Sequence, residues 1–197
     1  MKIRGIVIIT PLLSLGLLFV LLLISTPGQA QTGDHLVYLP LVMAPEPIPE
    51  PECDPNPQEQ AIADFMQDDP DQQRPFLNCD PILAQVARQR ALDMGTRKYF
   101  SHVNPDGFGP NYLVELAGYS LPDFYNQELT ANNIESIAAG YSSASTTWAG
   151  WMASDGHRTH ILGLHPFWAE QTDYGIGYAY VPGSPYGYYW VVITARH

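Results

Sequence analysis

The chain has 197 residues, of which 46% are hydrophobic and 15% are charged. This composition supplies enough apolar side chains for a packed core, unlike that of a disordered chain. Asp and Glu number 20 against 9 Lys and Arg, so the net charge at pH 7 is −11. Nucleic acids and anionic membrane surfaces attract basic proteins, and the charge therefore argues against both as partners.

Residues 1–30 have the organisation of a secretory signal peptide. Lys2 and Arg4 precede an apolar run that extends from Gly5 to about Ile24, and the segment ends in Gly-Gln-Ala30. The small residues at its end predict cleavage after Ala30 and a secreted, extracellular protein. The apolar run is also long enough to span a bilayer, so an uncleaved membrane anchor is the alternative.

Residues 31–56 form a predicted spacer. Its first part contains a short apolar patch, residues 35–43, and its second part, residues 44–52, alternates proline with glutamate. Proline at this spacing favours an extended polyproline-like chain over packed structure. The globular domain is accordingly assigned to residues 57–197.

The globular part shows several helices followed by two strands. The spacing of apolar residues predicts helices over 58–66, 80–99, 111–117 and 143–153. Asp80 is a favourable N-cap residue, and Pro81 suits the first position of the second helix. Aromatic and β-branched residues over 174–181 and 188–195 flank a Pro- and Gly-rich turn and indicate a hairpin. This order of elements predicts an α+β fold.

Cys53 and Cys79 are the two cysteines of the chain. They are too few for a structural zinc site, which takes four Cys or His ligands. An even pair in a secreted chain predicts a disulfide. Closing that loop of about 27 residues would stabilise the domain by roughly 3–4 kcal/mol in the chain-entropy model. The alternative is that Cys79 is a reactive nucleophile.

Polar residues concentrate in three short segments of the otherwise apolar domain, which we expect to be turns or helix ends. The first segment follows the long helix and reads Tyr-Phe-Ser-His102, with Pro-Asp-Gly after it. The second contains Glu135 and reads Asn-Ile-Glu-Ser-Ile-Ala-Ala-Gly. The third ends the tryptophan-bearing helix and reads Trp-Met-Ala-Ser-Asp-Gly-His157-Arg. Signatures such as GxGxxG, HExxH and GxSxG are absent from the sequence. Nearby serines are alternative nucleophiles beside a histidine base, namely Ser101, Ser136 and Ser154.

In this order, and together with Gly-Tyr at 118–119 and Gly-Ile-Gly-Tyr at 175–178, these segments resemble the CAP superfamily. This superfamily comprises cysteine-rich secretory (SCP-like) proteins, antigen 5 and pathogenesis-related proteins, and the resemblance is strongest to its short secreted bacterial members. It extends over residues 57–197. It implies a three-layer α-β-α sandwich.

The resemblance also implies a central cleft where two histidines and two glutamates hold a divalent cation such as zinc. The histidines correspond to His102 and His157, and one glutamate corresponds to Glu135. Ser154 stands where the second glutamate is expected, so that ligand is missing. His160 stands where the family usually has Asn. We therefore expect His102, Glu135 and His157 as metal ligands, with Ser154 and His160 beside them.

Two imidazoles and one carboxylate would leave a position of zinc open to water, as a hydrolytic site requires. The same residues would also fit a purely structural role, because a buried glutamate needs a partner. Three classes of function therefore stay open. The first is a secreted protein whose cleft binds a cation or small ligand, and the second is a metal-dependent, peptidase-like hydrolase. The third is a lipid- or sterol-binding module or a surface scaffold with a vestigial site.

Overall fold

The computed structural model describes residues 52–197, so the predicted signal peptide and most of the spacer lie outside the described residues. A disulfide links Cys53 to Cys79, which confirms the predicted pair. The helices are α1 (Pro57–Asp68), α2 (Pro81–Thr96), α3 (Pro110–Leu116), α4 (Ala144–Met152), α5 (Asp155–Ile161) and α6 (Pro166–Ala169). The strands are β1 (Asn78–Cys79), β2 (Glu135–Ala139), β3 (Asp173–Tyr180) and β4 (Tyr188–Ala195).

The four strands form one sheet in the order β1-β3-β4-β2. Strand β1 runs parallel to β3, and β4 pairs antiparallel with both of its neighbours. Alternate residues of β4 serve two cores, because side chains alternate across a strand. Val191 and Ile193 pack in a core with α2, whereas Trp190 and Val192 pack in a core with α1 and α4. The result is the α+β, three-layer α-β-α arrangement that the family resemblance implies.

Helix α2 lies directly on the backbone of β3. A Cβ atom added at Gly175 would stand 2.1 Å from the carbonyl carbon of Leu83, and one added at Gly177 would stand 2.2 Å from that of Ala87. No side chain larger than hydrogen fits at these two positions unless the helix moves. The glycines of the Gly-Ile-Gly segment thus set the distance between α2 and the sheet.

Both ends of α2 are defined by local hydrogen bonds. The carboxylate of Asp80 accepts hydrogen bonds from the backbone N–H groups of Ile82 and Leu83, both at 2.9 Å, which confirms the predicted N-cap. The helix ends at Thr96, three residues before the predicted end. Lys98 adopts a left-handed conformation with φ +58°, and the N–H of Tyr99 donates to the carbonyl of Met94 at 3.0 Å. This turn ends α2, and the segment that contains His102 follows it directly.

Two elements near the polar segments differ from the sequence prediction. Glu135 begins a strand rather than lying in a turn, and residues 155–161 form a helix of their own after α4 ends at Met152. Strand β2 is buried on both faces at residues 135–138, so its sequence has no alternation of polar and apolar residues. Within residues 52–197, no helix is long and apolar enough to cross a membrane.

Candidate functional site

The three residues predicted as ligands line one cleft of about 250 Å³. His102 comes from the turn after α2, Glu135 from the start of β2, and His157 from α5. Ser154 and His160 line the same cleft. The structure therefore brings all five predicted site residues together from separate parts of the domain.

Glu135 is a buried carboxylate held by two partners. Its Oε1 accepts a hydrogen bond from Nδ1 of His102 at 2.9 Å. Arg90 donates from Nε to Oε2 at 2.8 Å and from Nη2 to Oε1 at 3.0 Å. Burial by itself would raise the pKa of Glu135, but the hydrogen bonds from His102 and Arg90 outweigh it and lower that pKa. Glu135 is therefore ionised at neutral pH.

Arg90 was not among the residues predicted for the site. It is a buried arginine in the middle of α2, and it reaches across to β2 and to the turn that carries His102. The sequence does contain a signal for it. Arg90 occupies a position of the apolar stripe of α2, between Ala87 and Met94, where a charged residue needs a buried partner.

His157 is the second imidazole of the cleft. Its Nδ1 lies 2.9 Å from Oγ of Ser154, which occupies the N-cap position of α5 without capping the helix. Burial, reinforced by the nearby His102, lowers the pKa of His157. The imidazole is therefore neutral at pH 7. Within residues 52–197, Nε2 of neither His157 nor His102 makes a hydrogen bond.

His160 lies in the wall of the cleft with both nitrogens engaged. Its Nδ1 lies 2.7 Å from Oγ of Ser136, and its Nε2 lies 2.9 Å from Oγ1 of Thr194. Thr194 donates its one hydroxyl proton to Gln171 at 2.7 Å, so it accepts from Nε2–H of His160. Burial, with the positive charge of Arg74, lowers the pKa of His160 to about 3. This histidine is a neutral, internally bonded residue behind the open imidazoles.

Arg74 fixes the end of α5. Its guanidinium is buried and donates to the carbonyls of His160 and Ile161 at 2.8 and 2.7 Å. These carbonyls belong to the last turn of the helix, where a cation interacts favourably with the helix dipole. Burial lowers the pKa of Arg74 to about 10, so the side chain stays charged. The contact holds α5, and with it His157, against the sheet.

The donor atoms decide which cation the cleft could hold. Within the described part of the chain, no three His, Cys, Asp or Glu side chains are arranged to enclose a metal ion. Both oxygens of Glu135 already accept hydrogen bonds from Arg90 or His102. Among residues 52–197, the cleft donors that no protein group engages are Nε2 of His102 and Nε2 of His157. Zinc accepts imidazole nitrogen, so these two atoms are the candidate metal ligands of the cleft, and water or another ligand would have to complete the coordination.

The family model described as the cysteine-rich secretory protein family, CAP, matches residues 71–194 of this chain. The chain belongs to the CAP family. The match includes every residue of the cleft and excludes α1 and Cys53.

A similar curated protein is YkwD of Bacillus subtilis strain 168, which is described as uncharacterized. The two chains are 31% identical over 102 residues, which make up 52% of this chain and 34% of YkwD. This chain thus spans about a third of the length of that relative.

Two solved structures show similarity in fold. An extracellular protein containing an SCP domain from Bacillus anthracis str. Ames is 23% identical, with a TM-score of 0.53 over 71% of this chain and 40% of that chain. An outer surface protein from Borrelia burgdorferi is 16% identical, with a TM-score of 0.47 over 63% of this chain and 80% of that chain. The first of these supports the SCP fold that the layers and the family match define.

Proposed function

We propose that this protein is an extracellular CAP-domain protein whose cleft binds a divalent cation, such as zinc, through Nε2 of His102 and Nε2 of His157. One observation supports the proposal above the others. Each imidazole has its Nδ1 on a protein partner, Glu135 or Ser154, while its Nε2 has none within residues 52–197. Metal-binding histidines use this arrangement, because a partner at the second nitrogen fixes the ring and its tautomer.

In this proposal Glu135 orients the metal-binding residue His102 and does not bind the cation itself. Its two oxygens accept three hydrogen bonds from Arg90 and His102. A zinc ion bound by the two histidines would supply a Lewis acid in the cleft. The chain supplies two imidazoles and a carboxylate that neutralises the buried guanidinium. With two protein ligands the affinity is expected to be modest.

A binding function is favoured over a hydrolase by the state of the carboxylate. A metal-dependent hydrolase needs a general base within hydrogen-bond reach of the attacking water. Among the described residues, Glu135 is the one carboxylate that lines this cleft, and Arg90 and His102 hold both of its oxygens. Extracellular localisation is supported by the disulfide between Cys53 and Cys79 and by the predicted signal peptide.

Zinc titration calorimetry on protein purified from the culture medium tests the proposal. We expect one zinc per chain. Replacement of either ligand, His102→Ala or His157→Ala, should lower the affinity at least about tenfold, because losing even the partner that orients a metal-binding histidine costs that much. His165→Ala is the matched control, because His165 is exposed and caps α6 outside the cleft. Ser154→Glu should tighten binding, because it places a carboxylate where the family resemblance expects the fourth ligand.

Three outcomes would contradict the proposal. The parent protein takes up no zinc, the control loses as much affinity as the ligand variants, or the ligand variants unfold. Zinc uptake together with turnover of peptide or ester substrates would replace the binding function by the hydrolase. Absence of zinc uptake with saturable binding of a sterol or fatty acid would favour the lipid-binding module.

A further inference from the structure

Arg90 makes hydrogen bonds to two elements that line the cleft, strand β2 and the turn after α2. Nε and Nη2 donate to the two oxygens of Glu135, and Nη2 also donates to the carbonyls of Ser101 and His102, both at 2.9 Å. One rigid guanidinium therefore fixes the carboxylate on β2 and the backbone of the turn after α2. His102 and Glu135 are 33 positions apart in the sequence, and Arg90 is a charged side chain that joins their two elements.

Tyr99 holds the remaining end of the guanidinium. Nη1 of Arg90 donates to the Tyr99 hydroxyl at 2.7 Å, and that hydroxyl donates to Oδ2 of Asp93 at 2.6 Å. Asp93 lies one helical turn after Arg90 on α2. Every nitrogen of the Arg90 guanidinium thus has an acceptor, and a chain of hydrogen bonds joins Asp93, Tyr99, Arg90, Glu135 and His102.

The chain of hydrogen bonds determines the tautomer of His102. A carboxylate can only accept hydrogen bonds, so Nδ1 of His102 must carry the proton that it shares with Glu135. In the neutral imidazole, Nε2 then carries the lone pair. We propose that Arg90 is a positioning residue of the cleft, which holds Glu135 where it keeps His102 in the Nδ1–H form with Nε2 available to a cation. This inference rests on the proposed cation site.

The same helix provides a matched control. Arg88 is a second arginine of α2, and it donates from Nε at 3.1 and 3.0 Å and from Nη2 at 2.9 Å to the buried carboxylate of Glu59. This ion pair also joins an arginine of α2 to a buried carboxylate, although the Arg88 side chain is 33% exposed and that of Arg90 is 3% exposed. Its carboxylate lies on α1 and binds no histidine among the described residues. Arg88→Gln therefore removes an ion pair of the same helix without touching the chain of hydrogen bonds that ends at His102.

Imidazole nitrogen NMR at pH 8 tests the proposal without any metal. In the parent protein we expect His102 as the Nδ1–H tautomer. In Arg90→Gln we expect the Nε2–H tautomer to become populated as Glu135 loses its fixed position. Zinc affinity should fall by up to about 10- to 100-fold, the loss seen when the direct partner of a metal-binding histidine is removed. Arg88→Gln should change neither the tautomer nor the affinity.

Tyr99→Phe covers the case in which Arg90→Gln fails to fold. It removes one hydrogen bond from the guanidinium and leaves the ion pair in place. We expect a partial shift of the tautomer and a loss of zinc affinity of about two- to tenfold, as for one hydrogen bond.

Three results would overturn the positioning role. The parent His102 is the Nε2–H tautomer, Arg90→Gln or Tyr99→Phe leaves the tautomer unchanged, or Arg88→Gln shifts affinity as much as Arg90→Gln. If the parent protein binds no zinc but Arg90→Gln shows the expected tautomer shift, the proposed function is refuted and the role of Arg90 is supported. The two failures are therefore distinguishable.

Discussion

Acid should destabilise this domain through His160. The imidazole is buried in the wall of the cleft, and both nitrogens are hydrogen-bonded, to Ser136 and Thr194. Burial lowers its pKa to about 3, from 6.5 for an ordinary histidine. Because Thr194 gives its proton to Gln171, a protonated His160 would present a second N–H to Ser136 and would place a charge beside Arg74.

The sign of the effect follows from the two pKa values. Well above pH 6.5 neither the folded nor the unfolded chain protonates this histidine, so its contribution to stability is complete. Below pH 6.5 the unfolded chain binds a proton that the folded chain does not bind, and stability falls down to about pH 3. At pH 5, which lies 1.5 pH units below the unfolded pKa of 6.5, the free energy of unfolding is lower by about 2 kcal/mol. For a domain of this size that corresponds to roughly 5–10 °C in melting temperature.

His160→Asn isolates this contribution, because Asn does not titrate and is the residue type that the family resemblance places there. Urea unfolding of the parent and the variant at pH 7.5 and pH 5.0 gives the comparison. The parent should lose about 2 kcal/mol more than the variant between the two pH values. Other groups, such as Glu135 with its lowered pKa, titrate in both proteins and cancel in the difference.

Equal losses in the parent and in His160→Asn would refute the reasoning. A parent that becomes more stable at pH 5 would refute it as well, since that sign requires a histidine that gains its proton in the folded state.

Two further predictions concern the frame of the domain. The intact mass of secreted protein should match residues 31–197 and rise by about two daltons when the Cys53–Cys79 disulfide is reduced. Loss of the disulfide in Cys53→Ser should lower the free energy of unfolding by roughly 3–4 kcal/mol. Two free thiols, or a secreted protein that retains residue 1, would contradict this prediction. Gly177→Ala should destabilise the domain by about 1–3 kcal/mol or more in urea unfolding, because the added Cβ would overlap α2. Gly156→Ala is the control and should be nearly neutral, because no atom lies within 4 Å of a Cβ added there. Similar losses in both variants would count against close packing at Gly177.

The parts of the fold that the sequence predicted are those with local causes. The cap of Asp80, the apolar spacing of the helices and the turn between β3 and β4 each depend on residues within a few positions of one another. The paired cysteines were predictable from their number and the export signal. The family resemblance then gathered His102, Glu135 and His157 into one site, and the structure places all three in one cleft.

Burial on both faces explains why β2 was missed. Glu-Ser-Ile-Ala-Ala has neither the alternation of a half-exposed strand nor the length of a helix. Its side chains divide between two covered faces, so Ile137 packs in the core with α2 and Ala138 in the core with α1 and α4. The pairing with β4, which defines β2 as a strand, joins segments that are distant in the sequence, as in the pair of Ala139 with Tyr189.

The amino-acid sequence by itself determined the residue types of the cleft, including Ser154 where the family resemblance expects a glutamate, and most of the elements that carry these side chains. The tertiary structure alone decided which atoms those residues present. Arg90 is separated from Glu135 by 45 positions, and His160 from Thr194 by 34. These long-range contacts decide whether the carboxylate of Glu135 is already hydrogen-bonded within the protein. They also decide whether a histidine presents a nitrogen to the cleft or has both nitrogens hydrogen-bonded inside the domain, as His160 does. Local sequence patterns carry no record of them, because the packing of α2 and α5 on the sheet brings the partners together.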